Sequence, residues 1–193
     1  MKINRKFFFD HVRLTLFDGK LSATQVNGIE KVLDEWEKDF SKYDDRFLAY
    51  MYATIHLETG RTMQPIAEWG KGQGRPYGKR LKMSRKPYTD TDQLFYGRGF
   101  VQLTWYENYE KAGKKLGKNF IQNANTVMEI ENATKILFYG MIEGWFTGKK
   151  LSDYFNTTKE DWVNARRIIN GLDKAELIAS YAKKYYSSIS YMN

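Results

Sequence analysis

Two glutamates ten residues apart, Glu58 and Glu68, have the chemistry for paired acid–base work. Hydrolysis of a glycosidic bond needs one protonated carboxyl to donate to the leaving oxygen. It also needs a second group to activate water or to stabilise an oxocarbenium-like transition state. Glu58 ends an apolar helical stripe, where partial desolvation would keep it protonated; Glu68 lies in a polar, basic loop, where it would stay ionised. Gln102 and Thr104 on one face of a predicted strand, and the pair Asn170–Gly171, are the other polar candidates. Each has a plainer reading. Helix-end glutamates are commonly capping or solvated, Gln102 and Thr104 suit the wet face of an edge strand, and the tryptophans and tyrosines sit at core spacings.

The elements that must position these residues are mostly helical. Ser22-Ala-Thr24 precedes the stripe Val26, Ile29, Val32, Leu33 and Trp36, a capped amphipathic helix. A second helix is predicted over Arg46–Thr59, with positions 51, 54, 55 and 58 on one face and Gly60 as its stop. From Gly60 to Asp92 the periodicity dissolves into a long loop with room for a short hairpin, and loops of that length are usually functional or disordered. Its segment Lys71–Lys86 carries Lys71, Arg75, Lys79, Arg80, Lys82, Arg85 and Lys86 with no acidic residue, a pattern that also suits a solvated surface. Phe100–Trp105 alternates as a strand with Gln102 and Thr104 on one face. Helices are predicted from Asn108, over Val127–Trp145, and as a last pair over Lys159–Ile169 and Lys174–Tyr186.

With 193 residues, no repeat and no linker, residues 1–193 read as a single catalytic domain without a separate wall-binding module. The chain has no cysteine and only two histidines, His11 and His56. Thiolate sites are excluded and a zinc hydrolase is disfavoured, so no cofactor or metal is expected. His56 reads as a packed or surface histidine. The apolar run near the N-terminus is too short for a secretory segment, and the chain is expected in the bacterial cytoplasm. The net charge of +8 favours a polyanion, without choosing among nucleic acid, lipid and cell wall.

His56-Leu-Glu58-Thr-Gly60, then Tyr96-Gly-Arg-Gly-Phe-Val-Gln-Leu-Thr-Trp105 and Asn108-Tyr109, resemble glycoside hydrolase family 19, which holds chitinases and phage endolysins. Arg167-Ile-Ile-Asn-Gly171 resembles a later element of that family. The resemblance implies a mainly α, lysozyme-like fold of two lobes, with a small β element beside the active-site cleft. It implies Glu58 as general acid, Glu68 as general base and Thr104 as the hydroxyl that positions water. It further implies Gln102, Asn108, Asn170 and Tyr96 as sugar-binding residues. The family's basic residue in the helix after Asn-Gly has no match among Lys174–Tyr186. An inverting pair stands about 6.5–9.5 Å apart; ten residues of extended chain span up to about 33 Å, so spacing alone does not fix the separation.

Basic charge suits a carboxylate-bearing wall, so peptidoglycan is the expected substrate; the family resemblance implies a muramidase-like endolysin, expected to leave the cytoplasm through a holin-type pore. Chitin is the alternative. A non-catalytic polyanion binder is a further alternative, but no nucleic-acid motif is present and nucleic acid is not expected as a partner. The C-terminal helix, with Leu177, Ile178, Tyr181 and Tyr185 on one side and Lys174, Lys183 and Lys184 elsewhere, would touch anionic outer-membrane lipid. Packing that stripe on the core is the stronger reading. A monomer is expected.

Overall fold

The structure, a computed structural model, describes residues 2–192 and divides into two compact units. The first comprises the chain up to Met63 together with the chain from Phe138 onward; the second is Gln64–Leu137.

The first unit is built around α3, Asp45–Glu58, in which every residue from Phe47 to His56 is buried. No charged side chain occurs between Arg46 and Glu58, and a helix apolar all round belongs in the middle of a core. The predicted stripe is therefore the whole circumference. Around α3 lie α1 (Arg5–Leu16), α2 (Ala23–Glu35, continued by a π-helical turn over Trp36–Phe40) and α6 (Ala175–Tyr186). Ser22 caps α2 with a reciprocal capping box to Gln25, as its sequence suggests. Tyr52 of α3 stacks on Tyr185 of α6 at 5.1 Å between centroids and donates to the Ile29 carbonyl of α2 at 2.8 Å.

The helix α1 has no counterpart in the sequence reading, although Phe8, Val12 and Leu16 face the core at helical spacing. In α6 the buried face is Ala175, Ile178, Ala179, Ala182 and Tyr185, while Leu177 is exposed. Most of the stripe is thus spent on packing, the stronger of the two readings. Among the described residues no helix is long and apolar enough to cross a membrane.

The second unit has little regular structure. Its strands β1 (Ile66–Ala67) and β2 (Arg98–Gly99) pair antiparallel, Ile66 opposite Gly99 and Ala67 opposite Arg98. The helix α4 (Tyr106–Leu116) ends on Gly117 in the left-handed conformation. A 3-10 turn over Ala124–Met128 then leads into α5 (Ile130–Glu143), within which the chain passes back to the first unit. Phe95, Phe100, Tyr109 and Phe120 form the unit's buried centre.

Two predicted elements are corrected. Phe100–Trp105 is a tight turn, not a strand: Arg98 and Leu103 bridge each other, and Gln102 and Trp105 have positive φ. Alternation fails because Phe100 and Val101, adjacent in sequence, are both buried. Lys159–Ile169 is not a helix beyond the 3-10 turn Asn164–Ile168. The Asp161 carboxylate accepts from the Asn164 backbone at 3.0 Å and from its side chain, local bonding that competes with the helical ladder.

Candidate active site

In the first unit, Glu58 is the last residue of α3, and the motif around it is the machinery of a helix end. Gly60 has φ +56. The Gly60 N–H donates to Leu57 and the Arg61 N–H to His56, the paired bonds of a Schellman stop. Thr59, buried, donates its hydroxyl to Ile55 at 2.8 Å and accepts from the Met63 N–H at 3.1 Å. The chain therefore turns sharply at Gly60, and Glu58 sits on a buried, hydrogen-bonded frame.

The Glu58 carboxylate is not alone on an apolar face as expected. Arg166 Nη1 donates to Glu58 Oε1 at 2.7 Å, with side-chain exposures of 4% for Arg166 and 19% for Glu58. A carboxylate at a helix C-terminus faces the negative end of the helix dipole, and the guanidinium offsets that repulsion. Arg166 also donates through Nε to the Asp173 carbonyl at 3.2 Å. Arg166 has no local signal in the sequence, since 108 positions separate it from its partner. Asn170 is exposed, and its side chain accepts from the Gly171 N–H at 2.8 Å. The Asn170 backbone is tied to Arg166 by an N–H···O bond of 3.1 Å, so Asn170 follows the turn that carries the guanidinium.

His56 is packed, not surface: its Nδ1 lies 3.0 Å from the Tyr185 hydroxyl, and Phe17 and Tyr181 flank the ring. Burial, then the charges of Arg61 and Lys184, lower its pKa to about 4.

In the second unit, Glu68 is held by neutral donors. Tyr77 Oη donates to Glu68 Oε1 at 2.9 Å, and the Gly97 N–H donates to Oε2 at 3.0 Å. The Glu68 N–H in turn donates to the Gly97 carbonyl at 2.7 Å. Burial and the Glu68 carboxylate raise the Tyr77 pKa, which keeps the phenol a donor. Gly97 sits in a tight corner. A Cβ there would lie 2.7 Å from Gln102 Oε1 and 3.2 Å from Glu68 Cβ.

Gln102 spans this corner, its amide donating to the Ile66 carbonyl at 3.2 Å. Thr104 and Asn108 form a separate pair, Asn108 Nδ2 donating to the Thr104 carbonyl at 2.8 Å. Tyr96 is 8% exposed and lies under the Arg98 guanidinium, 3.5 Å from its ring centroid. Arg98, itself buried, donates to Leu94, Asn125 and Tyr109. The Tyr-Gly-Arg-Gly stretch therefore builds the loop scaffold on which Glu68 rests. Glu68 and Gln102 both pack around Gly97; Thr104 and Asn108 are tied to each other instead. Tyr77, the phenol that fixes Glu68, has no place among the residues predicted from sequence.

Among the described residues, no group of three or more histidine or acidic side chains converges to hold a metal.

Solved structures share this mainly helical fold. Chitinase C from Streptomyces griseus HUT6037 matches with a TM-score of 0.67 at 19% identity, over 98% of this chain and 95% of that one. A family 19, class IV chitinase from Zea mays matches with a TM-score of 0.57 at 16% identity, over 94% and 90%. Acidic endochitinase Q from Nicotiana tabacum is 32% identical in an alignment of 85 residues that covers 39% of this chain and 33% of the tobacco protein. The chain thus matches only about a third of that relative's length. The family model of chitinase class I, glycoside hydrolase family 19, matches residues 46–158. This is more than half of the chain, and the chain belongs to that family of glycoside hydrolases.

Proposed function

We propose that this glycoside hydrolase is an endolysin-type enzyme that cuts the β-1,4-linked backbone of bacterial peptidoglycan, muramidase-like and with inversion. Glu58 donates a proton to the glycosidic oxygen as the C–O bond breaks. Glu68 takes a proton from the water that adds to the opposite face of the anomeric carbon. Arg166 orients the Glu58 carboxyl, and Tyr77 with the Gly97 N–H orients that of Glu68. Thr104 positions the water, and Gln102, Asn108 and Asn170 serve the sugar-binding surface; Tyr96, expected beside them, is buried beneath Arg98 and supports the loop instead.

One observation carries the choice of an anionic polymer. The loop after Glu68 displays Lys71, Arg75 and Lys79, all exposed, in a chain of net charge +8. Arg80, Lys82 and Arg85 of the same run are engaged, with Asp92, Tyr106 and Trp105 respectively. Exposed cations on the loop that carries the proposed base favour a glycan that bears carboxylates. Chitin is the second reading, favoured by the chitinase names of the similar proteins.

Digestion of purified peptidoglycan and of chitin oligomers by wild type and Glu58→Gln, with mass spectrometry of new reducing ends, tests the proposal. Reducing-end N-acetylmuramic acid, absent with the variant, is the expected result. Reducing-end N-acetylglucosamine from peptidoglycan would move the cut to the other bond. Cleavage of chitin alone would replace the substrate, and cleavage of neither would overturn the reading.

A further inference from the structure

Trp69 is completely exposed, at 100% of its possible surface. The other four tryptophans are not: Trp36, Trp145 and Trp162 are buried and Trp105 is half-buried. An indole left wholly in water gains nothing for the fold, and such side chains are the common anchors of binding surfaces.

The backbone that presents it is fixed. Glu68, its neighbour, is bonded through its N–H to Gly97 and through its carboxylate to Tyr77 and Gly97. The Lys71 N–H donates to the Glu68 carbonyl at 3.1 Å, closing a turn around Trp69. The loop beyond is shut on itself: a Cβ at Gly78 would lie 1.9 Å from the Gly72 carbonyl oxygen, and one at Gly72 would lie 2.8 Å from Gly78 Cα. Lys71 and Arg75, both exposed, lie at this closed loop, with Arg75 acting electrostatically on Tyr77, the phenol that holds Glu68. A hydrogen-bonded turn thus displays an exposed indole and two exposed cations beginning one residue from Glu68.

We propose that Trp69 is a substrate-binding platform on which the C–H face of an N-acetylhexosamine ring stacks, while Lys71 and Arg75 hold a carboxylate carried by the same glycan strand. The inference rests on the glycan-hydrolase reading above and deepens it, by naming the residues that select a charged strand over a neutral one. It assigns no step of bond cleavage to Trp69.

The test has a kinetic arm and a binding arm. Trp69→Ala should raise KM on peptidoglycan by about 3- to 10-fold with kcat nearly kept, and Trp69→Phe should restore most of the loss. Lys71→Gln with Arg75→Gln should raise KM roughly two- to fivefold on peptidoglycan fragments and leave it unchanged on neutral N-acetylglucosamine oligomers. In the binding arm, soluble muropeptides should shift the tryptophan emission of Glu58→Gln, and the shift should vanish when Trp69→Ala is added.

Unchanged KM together with an unchanged emission shift in Trp69→Ala would overturn the platform. A blue shift with anionic phospholipid vesicles but not with muropeptides would also overturn it, in favour of a lipid contact. The emission arm is read without turnover. A wild type that cleaves nothing, yet shows the Trp69-dependent shift, would therefore sink the hydrolase proposal and keep the platform.

Discussion

The two units hold their glutamates in opposite ways. Glu58 closes a helix whose preceding two and a half turns are buried, and it is gripped by the guanidinium of Arg166 across 108 residues of chain. Glu68 sits on an irregular loop, and its carboxylate is held by two neutral donors supplied within thirty residues, Tyr77 and Gly97. The first arrangement is fixed by packing and charge, and the second by short-range hydrogen bonds and glycine crowding. A charged partner in a dry setting is hard to replace, whereas one of two neutral hydrogen bonds is easily spared. The comparison therefore predicts unequal sensitivity of the two units to substitution of the residues that support each carboxylate.

The largest effect should come from the carboxylates themselves. Glu58→Gln, which keeps an oxygen for Arg166, should lower kcat by about 10²–10⁴-fold with the unfolding temperature nearly unchanged. Glu68→Gln should fall in the same range, read in the same peptidoglycan digestion. Near-normal turnover in Glu68→Gln would assign the base elsewhere.

Next is Arg166→Met. It strips the charge from a buried site and leaves Glu58 unpaired, so urea unfolding should show a loss of about 3–5 kcal/mol. A loss below about 1 kcal/mol would place the pair with ordinary surface ion pairs and erase the contrast with Glu68.

His56 gives a smaller, pH-dependent effect in the first unit. Its folded pKa is lowered from 6.5 to about 4, so the unfolded chain takes up a proton that the folded chain refuses. The stability it contributes is complete above pH 6.5 and is lost as pH falls from there toward 4, by at most about 3 kcal/mol. The stability of His56→Gln relative to wild type should therefore improve on going from pH 7.5 to pH 5. A pH-independent difference would mean the ring is not held neutral.

The smallest effect should be that of Tyr77→Phe. It removes one of the two donors to Glu68 and should cost about 0.5–1.5 kcal/mol of transition-state stabilisation, a loss of a few-fold in kcat/KM. A loss as large as that of Glu68→Gln would show that the loop's neutral clamp is no weaker than the ionic one.

Much of this molecule could be read along the chain. The cap at Ser22, the span and stop of α3, the break at Gly117 and the terminal helix α6 each depend on residues within a turn or two of one another. Local hydrogen bonds and helical periodicity suffice for such features. The family was legible because the stretches around Glu58 and over Tyr96–Trp105 are contiguous motifs, whereas Glu68 lies in no such motif and was read only from its place in the loop.

The predicted strand over Phe100–Trp105 failed for a reason the alternation pattern hides. A turn that puts Gln102 and Trp105 at positive φ is held from outside, by the Gln102 amide on Ile66 and by the Arg98–Leu103 bridge. The predicted helix over Lys159–Ile169 failed where Asp161 offered the backbone another partner. Arg166 on Glu58, Tyr77 on Glu68 and the Gly72–Gly78 contact that steadies the loop around Trp69 were decided by the tertiary structure. Chain order alone therefore told which residues carry reactive groups and which segments would coil. Only folding decided which groups hold them, because a hydrogen bond or ion pair forms between side chains brought within about 3 Å, and separation along the chain carries no record of that distance.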